Sequence, residues 1–187
     1  MIQLTVLMWA MAALFAYIGF TRGWNKEMIA TSGIILGLFA LTEFSDVIDQ
    51  MLITAPPSQK YFFRITLFAV IVFFAYQTRA LGEGRAQPSR SRRRGSGRGT
   101  GGRGADDMQS SVLGGIMGFI NGYLIWGSMW YFMHPDYPLN PYISAPLPGS
   151  VSERFVDSLP LAILSGGDGN MLAGAVIVLF VIVLIVI

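Results

Sequence analysis

The chain has 187 residues, 53% of them hydrophobic and only 13% charged, with a mean hydropathy of +0.54. A soluble domain of this size carries about a quarter charged residues, so part of the apolar surface must face a bilayer. There is no cysteine, which excludes disulfides, iron–sulfur clusters and thiolate metal sites.

The net charge of +2 hides an asymmetry: eight of the thirteen basic residues lie between Arg79 and Arg103. Ile2 to Phe20 is an uncharged apolar run. At 1.5 Å per residue it reaches about 28 Å, enough to cross a hydrocarbon core of about 30 Å. With no basic segment ahead of it, it reads as a span and not as a cleaved leader. A polar hairpin follows, with Arg22, Trp24, Lys26 and Glu27 at the membrane surface. Arg22 and Glu27 are placed to pair there, or Arg22 to hold a lipid phosphate.

The second run starts at Met28 and continues past Leu41 into Glu43, Asp46 and Asp49. Three-residue spacing puts these carboxylates on one side of a continuous helix whose last turns leave the membrane. Pro56-Pro57 ends it. The third run, Tyr61 to Tyr76, is rich in phenylalanine, with Arg64 near enough to its start to snorkel. Residues 1–81 thus form a three-helix membrane region.

Residues 82–107 are rich in Gly, Ser and Arg and carry no apolar periodicity, which predicts a disordered linker. Its Arg90, Arg92, Arg93, Arg94, Arg98 and Arg103 suit contact with anionic lipid and the fixing of topology better than nucleic acid, which is not expected as a partner. A fourth, glycine-rich membrane helix fills 108–133. Residues 134–170 form a polar segment with six prolines. Within it, Val151, Phe155, Leu159 and Ile163 share one side of a short amphipathic helix that Pro160 should kink or end. A last apolar run, 171–187, reads as a fifth helix that either spans the bilayer or lies along its interface.

The fold class is therefore all-α: a polytopic bundle of four core helices plus a fifth. Basic residues gather on the cytoplasmic side of bilayer helices. That rule puts the 82–107 linker and the Arg22–Lys26 hairpin inside, and the N-terminus and the 134–170 segment outside.

Glycines at i and i+4 make flat faces for close helix contact. Gly19 with Gly23, Gly33 with Gly37, and Gly114, Gly118 and Gly122 with Gly115 alongside are the candidate packing positions. Spacing does not say whether the partner helix lies in this chain or another. No catalytic pair, cofactor motif or metal-ligand set is legible. His134 is the only histidine, and Ser165 to Gly169 lacks the lysine and the preceding strand of a phosphate loop.

The stretch Gly19-Phe20-Thr21-Arg22-Gly23-Trp24-Asn25-Lys26-Glu27 resembles the Arg-Gly-aromatic-x-x-Glu hairpin of the colicin V production protein family (CvpA). Leu113 to Gly122 is similar to that family's glycine-rich fourth helix. The order of elements over residues 1–135 also agrees. Two features depart from the pattern: Asn121 stands where the family usually has arginine, and Ser110-Ser111 where a charged pair often enters the helix.

The resemblance implies a bacterial inner-membrane protein linked to peptide toxin production or export and to envelope upkeep. It would act as an accessory by packing with copies of itself or with a membrane protein partner. A small channel or transporter formed by an oligomer is the competing expectation, although the apolar stretches carry no ionisable residue in their middles and only Asn121 is strongly polar there.

Overall fold

The computed structural model describes residues 3–77, 103–134, 145–165 and 170–186, with side chains for 3–77, 108–134, 145–165 and 171–182. Helix α1 spans Leu4–Arg22, α2 Trp24–Glu43, α3 Ser45–Met51, α4 Pro57–Gln77 and α5 Arg103–Met133. Three short elements follow: α6 (Val151–Phe155), a 3-10 turn (Val156–Ser158) and α7 (Pro160–Ser165). Helix α8 spans Asn170–Val186. No strand occurs among the described residues, and the fold is an all-α bundle.

Helices α1, α4 and the Met108–Met133 part of α5 are long and apolar enough to cross a membrane, and α2 with α3 makes a fourth, bent candidate. The chain is a multi-pass membrane protein. Helix α5 is the centre: 44% of its apolar window is buried, against 11% for α4. Helix α1 runs antiparallel to α5, with Gly19 against Gly114 and Ala12 against Gly122. Helix α4 lies on α2, Ala75 meeting Gly33 and Ile71 meeting Gly37. Ile34, Leu38, Phe68, Leu124, Ile125 and Phe132 fill the space between them.

The second helix is not continuous. It bends by 57° between α2 and α3, around Phe44. Thr42 Oγ1 donates to the Leu38 carbonyl (2.9 Å) and Ser45 Oγ to the Thr42 carbonyl (2.8 Å). Such side-chain bonds compete with the helical ladder at the point of the bend. The three carboxylates therefore do not line one helical side. Asp49 pairs with Arg64 at 2.5 Å, while Glu43 and Asp46 are exposed.

Two further boundaries move. Helix α5 already begins at Arg103, so residues 103–107 are helical and not linker. Ala105, Met108 and Gln109 are good helix formers, and Asp106-Asp107 suits a helix N-terminus. The amphipathic helix expected over 150–165 is broken in two. Pro160 is the first residue of α7, where its missing N–H costs nothing. Leu159 is buried, but Val151 and Ile163 are exposed, and Ser152, Val156 and Leu161 are the inward residues instead.

Helix α8 packs on the bundle through Leu172, Ala175, Val176 and Leu179, a helical stripe, and turns Ile177, Val178, Phe180 and Val181 outward. That one-sided packing suits a helix with lipid on its other side.

Candidate functional site: a polar junction inside the bundle

Gly23 sets up the site. Its φ of +84° is one that only glycine adopts readily, and it turns the chain from α1 into α2 within a single residue. Gly19's carbonyl accepts the Gly23 N–H at 2.9 Å, which closes the last turn of α1. The sharp reversal returns Glu27 beside Arg22.

The α1–α5 crossing is glycine against glycine. A methyl group added to Gly118 would collide with the Phe15 carbonyl oxygen, and one on Gly19 with the Gly114 carbonyl oxygen. One on Gly114 would lie 2.7 Å from the Gly23 carbonyl carbon, and one on Gly122 2.8 Å from Ala12 Cα. Gly33 and Gly37 make the corresponding approach to Ala75 and Ile71 of α4. Gly115 also faces α1 but less closely: an added methyl would rest at an ordinary 3.4 Å from the Ala16 carbonyl oxygen. The tight packing is thus between helices of the same chain.

This close approach brings polar side chains from four helices together. Glu27, in the first turn of α2, has no exposed side-chain surface. Its Oε1 accepts from Arg22 at 2.9 Å. Its Oε2 accepts from Asn121 Nδ2 at 2.8 Å and from the Tyr76 hydroxyl at 3.3 Å. Asn121 Nδ2 also lies 3.3 Å from the Glu27 carbonyl oxygen, so the amide uses both N–H groups on one residue. Its Oδ1 accepts from the Thr31 hydroxyl at 2.7 Å. Arg22 further donates to the Tyr76 carbonyl (3.4 Å), and its guanidinium carbon lies 4.4 Å from the Tyr76 ring centroid.

Glu27 is the centre of this network. An arginine, the positive end of α2 and two neutral donors all face its oxygens. Removing Arg22 would leave the enclosed Glu27 carboxylate without its counter-ion.

Arg22 and Glu27 thus pair as the sequence allows, but Glu27 lies inside the bundle and not on a surface hairpin. Trp24 and Lys26 are half-buried beside it, and the Trp24 N–H reaches Ser110 Oγ at 3.4 Å. Asn121 is not the only strongly polar side chain inside the bundle, because the folded-back hairpin adds Glu27 and Thr31 to it. Tyr76 and Thr31 were missed by sequence reasoning, since a hydroxyl at a helix end and one within an apolar run carry no spacing signal. Arg90, Arg92, Arg93, Arg94 and Arg98 lie outside the described residues, as does the side chain of Arg103.

A second junction closes the opposite end of the bundle. Thr5 and Ser152 hydroxyls are 2.9 Å apart, and Pro160 sits against Gly127. Trp9 stacks on Phe119 and Tyr123, and Phe155 stands edge-on to Trp9 while stacking on Trp130.

No group of three potential metal ligands occurs among the described residues. No protein-family model, curated protein or solved structure matches the chain.

Proposed function

We propose that the chain is a non-catalytic organising protein of the bacterial inner membrane, of the accessory kind that the colicin V production resemblance implies for toxin export and envelope upkeep. The observation that carries this reading is the closure of the polar junction. Glu27 spends its acceptors on Arg22, Asn121 and Tyr76, so its charge clamps the α1–α2 hairpin to α5. Glycine contacts inside the chain hold the same helices.

One apolar surface open to partners is the outward side of α4, where Phe62, Phe63, Phe73 and Phe74 are exposed. The positive-inside rule supports a cytoplasmic arginine linker and an external N-terminus.

The test is a tagged pull-down from native membranes in mild detergent, with stoichiometry by mass spectrometry. A membrane export component, or a defined homo-oligomer, held in fixed ratio and lost with Phe63→Ser and Phe74→Ser is the supporting result. A chain that emerges monomeric and alone refutes the proposal.

One observation favours a second reading, a small channel or transporter. An ionisable group with no exposed surface sits beside Asn121 of the Met108–Met133 span, and a buried charge within a span commonly marks a transport path. Cation or proton flux in liposomes that Glu27→Gln abolishes would carry that reading; absence of flux from the purified protein removes it.

A further inference from the structure

Helix α4 rests chiefly on α2, and this leaves a groove between α1 and α4. Phe15 and Ile18 form one wall, Val72 and Tyr76 the other, and Ile125 and Met129 of α5 form the floor. Its volume is about 360 Å³. The one hydroxyl among these side chains, that of Tyr76, is turned to Glu27. Ala69 and Phe73 at the α4 rim are exposed, so the groove opens on the outer surface of the bundle. From Phe68 to Tyr76 it follows eight residues of helix, about 12 Å.

Its Tyr76 end carries the opposite chemistry. Arg22 lies over the Tyr76 ring at the last residue of α1. Its side chain is 23% exposed, while its counter-ion Glu27 lies beneath it with no exposure. The pair is neutral in sum, but the surface presents the cation. Two of the five guanidinium N–H groups are engaged among the described residues, by Glu27 and by the Tyr76 carbonyl. Arginine at the end of a span also sits at the depth where phospholipid phosphates lie, and its fork suits phosphate oxygens.

We infer that the α1–α4 groove is a binding site for one glycerophospholipid, with an acyl chain along Phe15, Val72 and Met129 and the phosphate on Arg22. The two halves of the site follow one axis in the order that a phospholipid requires. A free phosphate would satisfy Arg22 and leave the groove empty. The site holds whether or not the chain acts as an organiser, since it depends only on α1, α4 and α5 being in place.

The test uses the full chain in mild detergent, incubated with phosphatidylglycerol and examined by native mass spectrometry. One lipid per chain should survive transfer. Ala69→Trp, on the exposed rim, should fill the groove and cut lipid occupancy about tenfold while the helical circular-dichroism signal and melting temperature hold. Arg22→Gln should cut it similarly. Arg22→Lys keeps the ion pair with Glu27 but loses the fork, so it separates a headgroup effect from misfolding and should reduce occupancy severalfold. Undiminished retention by Ala69→Trp overturns the proposal. So does equal retention of diacylglycerol, which has no phosphate, or full displacement by millimolar inorganic phosphate, which marks an ion site without a chain.

Discussion

Glu27 and Asn121 are 94 positions apart in sequence, yet the carboxylate of one accepts from the amide of the other at 2.8 Å. That single contact ties the hairpin at the end of α1 to the middle of α5. Losing it should be measurable. Asn121→Leu removes the amide bonds to Glu27 and Thr31 while keeping the arginine partner. Interhelical hydrogen bonds in membranes average about 0.6 kcal/mol each, so a loss of about 1–2 kcal/mol is expected. Glu27→Gln strands the Arg22 charge and should cost more, about 3–5 kcal/mol. Unfolding in mixed micelles gives both values. A Glu27→Gln protein as stable as the Asn121→Leu protein would refute the buried ion-pair account.

The glycine crossing separates two neighbouring positions. Gly118→Leu drives a side chain into the Phe15 carbonyl and should break the α1–α5 contact, at a cost of about 3 kcal/mol. Gly115→Ala meets only an ordinary contact and should change stability by less than about 1 kcal/mol. If both substitutions have the same effect, glycine content and not close approach governs the helix.

The hairpin residue gives a conformational prediction. Gly23→Ala places a Cβ at φ +84°, costing on the order of 1–2 kcal/mol, and also crowds Ser110 Oγ at 3.2 Å. Gly23→Asn should recover none of that loss, because at ψ 165° the residue lies outside the left-handed helical region that asparagine tolerates. Comparing the two melting temperatures tests whether backbone conformation, beyond space, is what the turn needs.

Cysteine pairing checks the far junction on a chain that has no native cysteine. Thr5→Cys with Ser152→Cys puts thiols where the hydroxyls are 2.9 Å apart, so mild oxidation should give a faster-migrating, reducible species. No such species after oxidation would place α6 away from α1.

Orientation is tested through charge. Replacing Arg79, Arg85, Arg90, Arg92, Arg93, Arg94, Arg98 and Arg103 by glutamine removes the largest basic cluster and should give mixed topology by accessibility tagging. A linker that stays on one side in every molecule would mean that another signal sets the orientation.

Most of the architecture was legible because bilayer thickness forces apolar runs of fixed length. The runs at 61–76 and 112–133 lie within α4 and α5, and α1 takes up the 2–20 run from Leu4 onward. The bend at Phe44 was hidden, since Thr42 and Ser45 stop a helix only when their hydroxyls turn back onto its carbonyls. Glycine spacing pointed to close contact, but Gly114 and Gly115 look alike in sequence, and only the rotation of α5 distinguishes them. Arg22 with Glu27 was visible as a local pair. Its enclosure was not, because burial came from Tyr76 and Asn121, brought in from distant parts of the chain.

Helix α1 finds its main partner only in α5, which begins 81 residues after α1 ends at Arg22. At about 5–20 residues per second, the hairpin waits on the order of ten seconds before that partner is made. Through this interval the α1 glycine seam faces lipid, and the Glu27 carboxylate has Arg22 nearby but not yet Asn121. Assembly of this bundle is therefore a matter of timing as well as packing. The local Arg22–Glu27 pair serves first as a shield that keeps an acidic hairpin tolerable in the bilayer, and only later as a part of the finished core.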